Sequence, residues 1–433
     1  MNRSRLAPLT ATAGSLFLSI ALASPATADY LAASLGPNFV DGSVERFDDQ
    51  GNQLAGQGIA NGTGGLGMPQ GITIGPDGNI YVSSVNNSTG AGEILFFDPS
   101  GAPLSHSGGQ VGLFATLPFN PPAEEGGDPT PPSPARLKFG PDGNLYVADM
   151  AGTTVRVFDG TTGVQLADAA TGLAAPTGLT FGPDGALYVG NFNDGVVYRV
   201  QEGMKQPFIQ PTLAGPYTPS SLLWQPSGNL LVVDVIGNQI LEYDNSGQFV
   251  SQFAVVPPEI PDELPPGVNF RTNSPSDIIF DPDGNLALGV LGLTFPPSTP
   301  GAILKYGLDG GDPLDDSFVN DVLGIAAIAW IRSADAVAGD YDGNGELEAA
   351  DYAKWSDDFG KRVAPGGGAD GNNDGYVDAA DYTVWRDAAG NPPIAAGAAS
   401  NAAIAAPEAS TLLLAAVCLM SLAGVRMSRR GSG

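Results

Sequence analysis

Two twelve-residue stretches near the C-terminal side hold the densest set of oxygen donors in the chain. Residues 340–351 read DYDGNGELEAAD and residues 370–381 read DGNNDGYVDAAD. Both place oxygen-bearing groups at positions 1, 3, 5, 9 and 12, a glycine at 6 and an apolar residue at 8. A hard cation such as calcium takes about six to eight oxygen ligands, and alternate positions of a tight loop turn inward to supply them. The first loop offers Asp340, Asp342, Asn344, the Glu346 carbonyl, Glu348 through a water, and Asp351. The second offers Asp370, Asn372, Asp374, the Tyr376 carbonyl, Asp378 through a water, and Asp381. Gly345 and Gly375 permit the sharp turn, and Leu347 and Val377 are placed to pair between loops. Two calcium ions are therefore expected. A single loop of this kind is often a plain acidic turn; the duplicated spacing favours the metal reading.

Each loop runs into one short helix, DYAKWSDDFG after the first and DYTVWRDAAG after the second. No helix is evident before either loop, and position 12 is aspartate in both. With the repeated Ala-Ala-Asp-Tyr-x-x-Trp, these features resemble a type I dockerin across nearly all of residues 339–390. The resemblance implies a cohesin-like protein partner. It would meet loop positions 10 and 11 and the following helix, which here are Ala349, Ala350, Lys354, Ala379, Ala380 and Arg386. The Ala-Ala pairs depart from cellulosomal dockerins, which often carry hydroxyl residues there. Trp355 and Trp385 are expected in the core of the module.

Upstream, one pattern recurs between residues 69 and 310: proline, a short apolar strand, a Pro-Asp-Gly turn, then a strand such as Leu-Tyr-Val-Ala-Asp. Copies begin at Pro69, Pro134, Pro176, Pro219 and Pro275. Proline presets such a turn, aspartate bonds its own backbone and glycine accepts positive φ. The flanking β-branched and aromatic runs predict strands. Each unit is a small antiparallel sheet that must pack on its neighbours. Residues 30–54 match the later part of a repeat and residues 322–331 match an opening strand, so both chain ends together make a sixth blade. Ring closure removes open sheet edges. The pattern resembles the NHL-repeat and gluconolactonase-like six-bladed propellers. The expected fold is all-β, a six-bladed β-propeller over 29–333, then a small α-helical paired calcium-loop domain over 334–390.

Strand alternation predicts that the long insertions 85–92, 118–134, 256–274 and 291–301 share one face, opposite the Pro-Asp-Gly turns. Lactonase-like relatives hold a metal through acidic and amide side chains at the starts of the innermost strands. Here those starts are Gln70-Gly71, Ala135-Arg136, Thr177-Gly178, Ser220-Ser221 and Ser276-Asp277, with one acid among them. Neutral hydroxyls and amides alone hold a divalent ion poorly. The single histidine, His106, excludes a multi-histidine zinc site and makes a Ser-His-Asp triad a poor reading. Ser34, Ser84, Asp149, Asn191 and Asp234 end the second strands; they either ring a pocket or, as such residues usually do, cap turns. No catalytic residue is assigned. The favoured reading is a recognition propeller with an unidentified ligand, and the alternative is a secreted lactonase-like or glycan-active hydrolase tethered by its dockerin.

The net charge of −28, from 46 acidic and 18 basic side chains, excludes nucleic acid as a partner. Arg3 and Arg5, an apolar stretch from Ala13 to Ala23, and Ala26-Thr27-Ala28 read as a signal peptide over 1–28. Residues 391–406 read as a linker. Pro407-Glu408-Ala409-Ser410, an apolar run from Leu412 to Val425 and a basic end resemble a PEP-CTERM sorting tail over 407–433. That tail implies an apolar helix engaging the membrane and a sorting protease, and hence an exported bacterial protein at the cell surface.

Overall fold

The structure is a computed structural model. It describes residues 28–36, 41–106, 109–122, 127–211, 218–256, 274–281, 284–292, 301–332, 337–342, 346–361, 363, 367–371 and 376–390. The segments expected to be a signal peptide (1–28, save Ala28), a linker (391–406) and a sorting tail (407–433) lie outside the described residues, as do Asn344, Asn372, Asp374 and most of the insertions 256–274 and 291–301.

The chain opens with β1 (Ala28–Ser34) and β2 (Ser43–Phe47). A second group follows: β3 (Met68–Ile74), β4 (Ile80–Val85), β5 (Gly92–Phe97) and β6 (Leu113–Thr116). Then come β7 (Pro134–Phe139), β8 (Leu145–Asp149) and β9 (Thr154–Phe158). The fourth group is β10 (Pro176–Phe181), β11 (Leu187–Asn191), β12 (Val197–Gln201) and β13 (Met204–Ile209). The fifth is β14 (Pro219–Trp224), β15 (Leu230–Asp234), β16 (Gln239–Tyr243) and β17 (Phe249–Val255). The last is β18 (Pro275–Phe280), β19 (Leu286–Val290), β20 (Gly301–Tyr306) and β21 (Asp315–Val322), followed by β22 (Ile325–Arg332). Two helices complete the described chain, α1 (Ala349–Asp358) and α2 (Ala379–Gly390).

These strands form six antiparallel sheets, and β22 returns to pair with β1, giving the order β2-β1-β22. The first strand of each repeat lies beside that of the next: β22 by β3, β3 by β7, β7 by β10, β10 by β14, β14 by β18 and β18 by β22. The result is a six-bladed β-propeller, closed by strands from both ends of the repeat region.

The physical reason is visible in β1. Alternate side chains leave opposite faces of a strand. Tyr30 and Ala32 enter a cluster with Ile279, Ile303 and Phe318, whereas Leu31 and Ala33 enter another with Ile72, Val82 and Leu95. The strand is buried on both faces, which is why its sequence reads as a nearly unbroken apolar run. The same division recurs in β15, where Leu231 and Val233 face one neighbour and Leu230 and Val232 the other. Each fully buried leucine or valine contributes roughly 1.5–3 kcal/mol.

The Pro-Asp-Gly turns gain a partner the turn motif alone does not reveal. In three of them the tyrosine four residues after the aspartate donates its hydroxyl to that carboxylate: Tyr81 to Asp77 at 2.9 Å, Tyr146 to Asp142 at 3.0 Å and Tyr188 to Asp184 at 3.2 Å. Gly78 and Gly143 sit at φ 76° and 77°, a conformation that favours glycine.

The four insertions join second to third strands or one blade to the next, as strand alternation requires. One expectation needs correction. The segment between β5 and β6, residues 98–112, is also long, and it lies on the face of the Pro-Asp-Gly turns. Its His106 stacks on Phe96, with ring centroids 4.9 Å apart, and lies 5.2 Å from Phe114. Aromatic packing therefore accounts for both this excursion and the histidine. Among the described residues, no helix is long and apolar enough to cross a membrane.

Candidate functional site

Position 12 of each loop is an organising centre. Asp351 is fully buried; its Oδ1 accepts the Tyr341 amide at 2.7 Å and its Oδ2 the Glu348 amide at 2.7 Å. Asp381 repeats the pattern, with Gly371 on Oδ1 and Asp378 on Oδ2, both at 2.7 Å. Asp351 Oδ1 also accepts the Asp342 amide at 3.2 Å. Each carboxylate thus staples its loop closed and starts its helix. In the first loop, ligand oxygens of Asp340, Asp342 and Asp351 come within 4.8 Å of one another. Three hard carboxylate donors so close suit a calcium-type cation, which would neutralise their repulsion. Asp370 is fully buried as well. Glu346 and Tyr376 each stand five residues before their loop's closing aspartate, and Glu348 and Asp378 directly precede the helices.

The loops are tied to each other's helices. Tyr341 donates its hydroxyl to the Asp381 carbonyl at 2.7 Å, and its ring packs with Ala369 and Val377. Trp355 and Trp385 pack against that small core, as expected. Tyr352, Trp355, Tyr382 and Trp385 form the aromatic contact between α1 and α2, with centroids 5.1 to 6.1 Å apart. Val377 differs from the expected cross-loop pairing. Its carbonyl accepts the Gly360 amide at 2.7 Å and its amide donates to the Lys361 carbonyl at 3.0 Å, so its main chain pairs with the segment leaving α1.

Of the residues assigned to a partner, Ala349, Ala350, Ala379, Ala380 and Arg386 are exposed. Lys354 is engaged within its helix, paired with Asp358, which also accepts Lys361 at 2.9 Å. Burial tends to raise the Asp358 carboxyl, but the two lysines outweigh it and hold the group below the usual range.

The mouth of the propeller axis is cross-braced. Arg136 on β7 donates to the carbonyls of Gln70 on β3, Ser276 on β18 and Ala326 on β22, at 2.7 to 2.8 Å. Asp277 accepts Ser221 Oγ at 2.6 Å and the Ile328 amide at 3.1 Å, with Arg136 Nε 3.4 Å away. The one acid at the strand starts therefore faces a fixed guanidinium. Hydroxyls of Thr177, Ser220 and Ser276 reach the carbonyls of Pro219, Ser276 and Ile325 in the next blade, at 2.7 to 2.9 Å. These polar starts serve blade-to-blade bonding. Arg136 is the residue whose part the sequence concealed.

The polar ends of the second strands are clamps rather than a pocket. Asp149 accepts the amides of Ser133 and Gly152 and pairs with Arg156 at 2.8 Å. Asp234 accepts the Thr218 amide at 3.0 Å, and Ser84 Oγ the Gly67 amide at 3.2 Å. Ser34 donates to the Leu323 carbonyl, and Asn191 donates to Asp194 at 3.3 Å.

Comparison with known proteins places solved structures beside this geometry. A protein of unknown function from Bacteroides caccae is 15% identical, covering 71% of this chain and 100% of its own, with a TM-score of 0.47. A candidate 6-phosphogluconolactonase from Bacteroides fragilis is 12% identical, covering 71% and 99%, with a TM-score of 0.44. Virginiamycin B lyase from Staphylococcus aureus is 18% identical, covering 55% and 69%, with a TM-score of 0.36. No family model and no curated protein matches the chain. None of these similarities bears on activity.

Proposed function

We propose that this chain is an exported surface protein in which a non-catalytic propeller recognises a ligand and a two-calcium module docks onto a cohesin-like partner. The observation that carries the calcium part is the repeated staple: Asp351 and Asp381 close two loops of the same spacing in the same way, each at the start of a helix. The first loop adds the close group of Asp340, Asp342 and Asp351. The exposed Ala349, Ala350, Ala379 and Ala380 then offer small side chains to a partner. The tail 407–433 would hand the chain to the membrane and a sorting protease, and residues 1–28 would direct export.

A non-catalytic axis is supported by Arg136, whose guanidinium lies 3.4 Å from Asp277, the one acid among the strand starts. Titration calorimetry of the whole chain tests the calcium module. The parent should take up two ions, and Asp340→Ala and Asp370→Ala one each. Two ions in either variant would mean that the ligands are misassigned.

A further inference from the structure

Each opening proline, or Ile325 in the closing blade, faces a residue on the second strand, and the residue after that one is apolar in all six blades. These are Leu35, Val85, Met150, Phe192, Val235 and Leu291. Five of them are held in the same way. Leu35 donates its amide to the Gly324 carbonyl, Met150 to Ser133, Phe192 to Ala175, Val235 to Thr218 and Leu291 to Ser274, at 2.8 to 3.2 Å. They therefore form a collar around the axis on the face that carries the insertions. Leu35 is buried, Val85, Phe192, Val235 and Leu291 are half-buried, and Met150 is 38% exposed. Ile236, next to Val235, is 55% exposed.

At Met150 the collar stands on a rigid base. Arg156 bonds Asp149 Oδ2 at 2.9 Å, and its other nitrogen donates to Asn120 Oδ1. All three side chains are buried. Asn120 also exchanges main-chain bonds with Thr130, at 2.8 and 3.1 Å, which pins the insertion 118–134 as a small hairpin. Asn120 is preceded by Phe119, 52% exposed, and Asp149 is followed by Met150. One buried ion pair thus ties two exposed apolar side chains from different blades into one surface. The fit at its base is close: a Cβ on Gly152 would lie 2.3 Å from Asp149 Oδ2 and 2.4 Å from Asn120 Oδ1. Single exposed apolar residues are ordinary on a protein surface; a contiguous, anchored set marks a contact.

Charge decides what this surface fits. Asp128 is exposed in the hairpin of Phe119, Asp194 stands two residues after Phe192, and Asp41 lies exposed on the connection from β1 to β2. Among the described residues of the connections on this face there is no lysine or arginine. Arg136 and Arg156 lie beneath it, already engaged with carbonyls and carboxylates. An anionic lipid surface would be repelled, and a second copy of this chain, with its net charge of −28, would set acid against acid. We propose that the collar, centred on Phe119 and Met150, docks a basic amphipathic segment of another protein. Its apolar side chains rest on the collar and its lysines or arginines meet Asp128 and Asp194. The inference rests on the reading of the propeller as a recognition module and gives that module a ligand class.

The test uses the full chain with calcium and, as probe, a fluorescent amphipathic helix made of leucine and lysine, beside its leucine and glutamate counterpart. Fluorescence anisotropy at physiological ionic strength should show the lysine peptide bound and the glutamate peptide free. Phe119→Ser combined with Met150→Ser should weaken binding at least about tenfold, as removal of two central apolar anchors does. Val164→Ser combined with Leu314→Ser removes side chains equally exposed, 61% and 66%, on the Pro-Asp-Gly face, and should leave the affinity unchanged. That control separates docking from general attraction of a cation to an acidic chain. A photoreactive form of the lysine peptide, mapped on the unaltered chain, should attach at or beside Phe119, Met150, Phe192 or Ile236, which decides the site even if a variant folds poorly. Equal affinity in the Phe119 and Met150 variant, an equal loss in the control, or attachment on the Pro-Asp-Gly face would overturn the site. Failure of the lysine peptide to bind would overturn the ligand class, while the recognition reading would fail separately, if no ligand of any class met the insertion face.

Discussion

The indole of Trp355 donates its Nε1 proton to the main-chain carbonyl of Asp378, 2.8 Å away. A helix that leaves the first loop is thus fastened to position 9 of the second. The arrangement is mirrored, since Trp385 in the second helix donates to the Glu348 carbonyl at 3.3 Å. Each half of the module thus holds the other half's loop in place.

Trp355→Phe should therefore act across the module. The ring is kept and one hydrogen bond is lost, which costs about 1 kcal/mol. Calcium affinity should drop about fivefold, and it should drop in the second loop, not the first. Calorimetry on Trp355→Phe combined with Asp340→Ala, which retains only the second site, reads this directly. An unchanged affinity there would show that the indole bond is incidental.

The fragment 335–390 should fold only when calcium is present. Its fully enclosed apolar core is a few residues centred on Tyr341, Ala369 and Val377. So small a core rarely stands alone, and clustered carboxylates oppose its closing. Circular dichroism of the fragment should show helix with calcium and lose it on chelation. Helix that persists without the ion would remove the argument.

At the axis, Arg136→Met should destabilise the propeller by about 3–5 kcal/mol, the usual effect of leaving one partner of a buried ion pair alone. The side chains of Arg136 and Asp277 are 11% and 8% exposed. Adding Asp277→Asn should recover part of the loss. Denaturant unfolding of the single and double variants measures both steps. A single variant as stable as the parent would mean that the brace is slack.

The turn tyrosines predict an alkaline weakness. Burial first, then Asp142, pushes the Tyr146 hydroxyl up to about 12; burial and Asp184 do the same for Tyr188, against the pull of Arg199. An unfolded tyrosine ionises near about 10. The folded state favours the neutral phenol, so this stabilisation is complete below about pH 10 and is lost as pH rises towards 12. Spectroscopic titration should show Tyr146 and Tyr188 ionising only near 12. A single step near 10 would contradict the buried pairing.

The blades were legible because their signals are local. A Pro-Asp-Gly turn and a Leu-Tyr-Val-Ala-Asp strand carry their conformational reasons in their own side chains. The closing blade was legible too, since YLAAS in β1 keeps that pattern far from its partners. The brace at the axis was not, because Arg136 bonds main-chain carbonyls of Gln70, Ser276 and Ala326, and carbonyls leave no mark on residue type. The backbone partners of Val377 were hidden for the same reason. The excursion at 98–112 was missed because its packing of His106 on Phe96 and Phe114 has no periodic signature.

The pairing of β1 with β22 also fixes an order of events. Ser34 and Leu323, which bond where that blade is sealed, are 289 residues apart. Strands β3 to β21 meet mostly their near neighbours and are able to assemble as they emerge, one blade against the last. Strand β1 has to wait, with its β22-facing edge unpaired, until the final strand arrives. Contacts this distant in sequence form slowly, so the last seam governs the time to completion. A chain threaded through a membrane from its N-terminus would carry that open edge outside for the whole of its passage. Such a chain needs either rapid delivery of its C-terminal third or a chaperone that covers the edge, and a truncation before Ile325 would leave a ring that never seals.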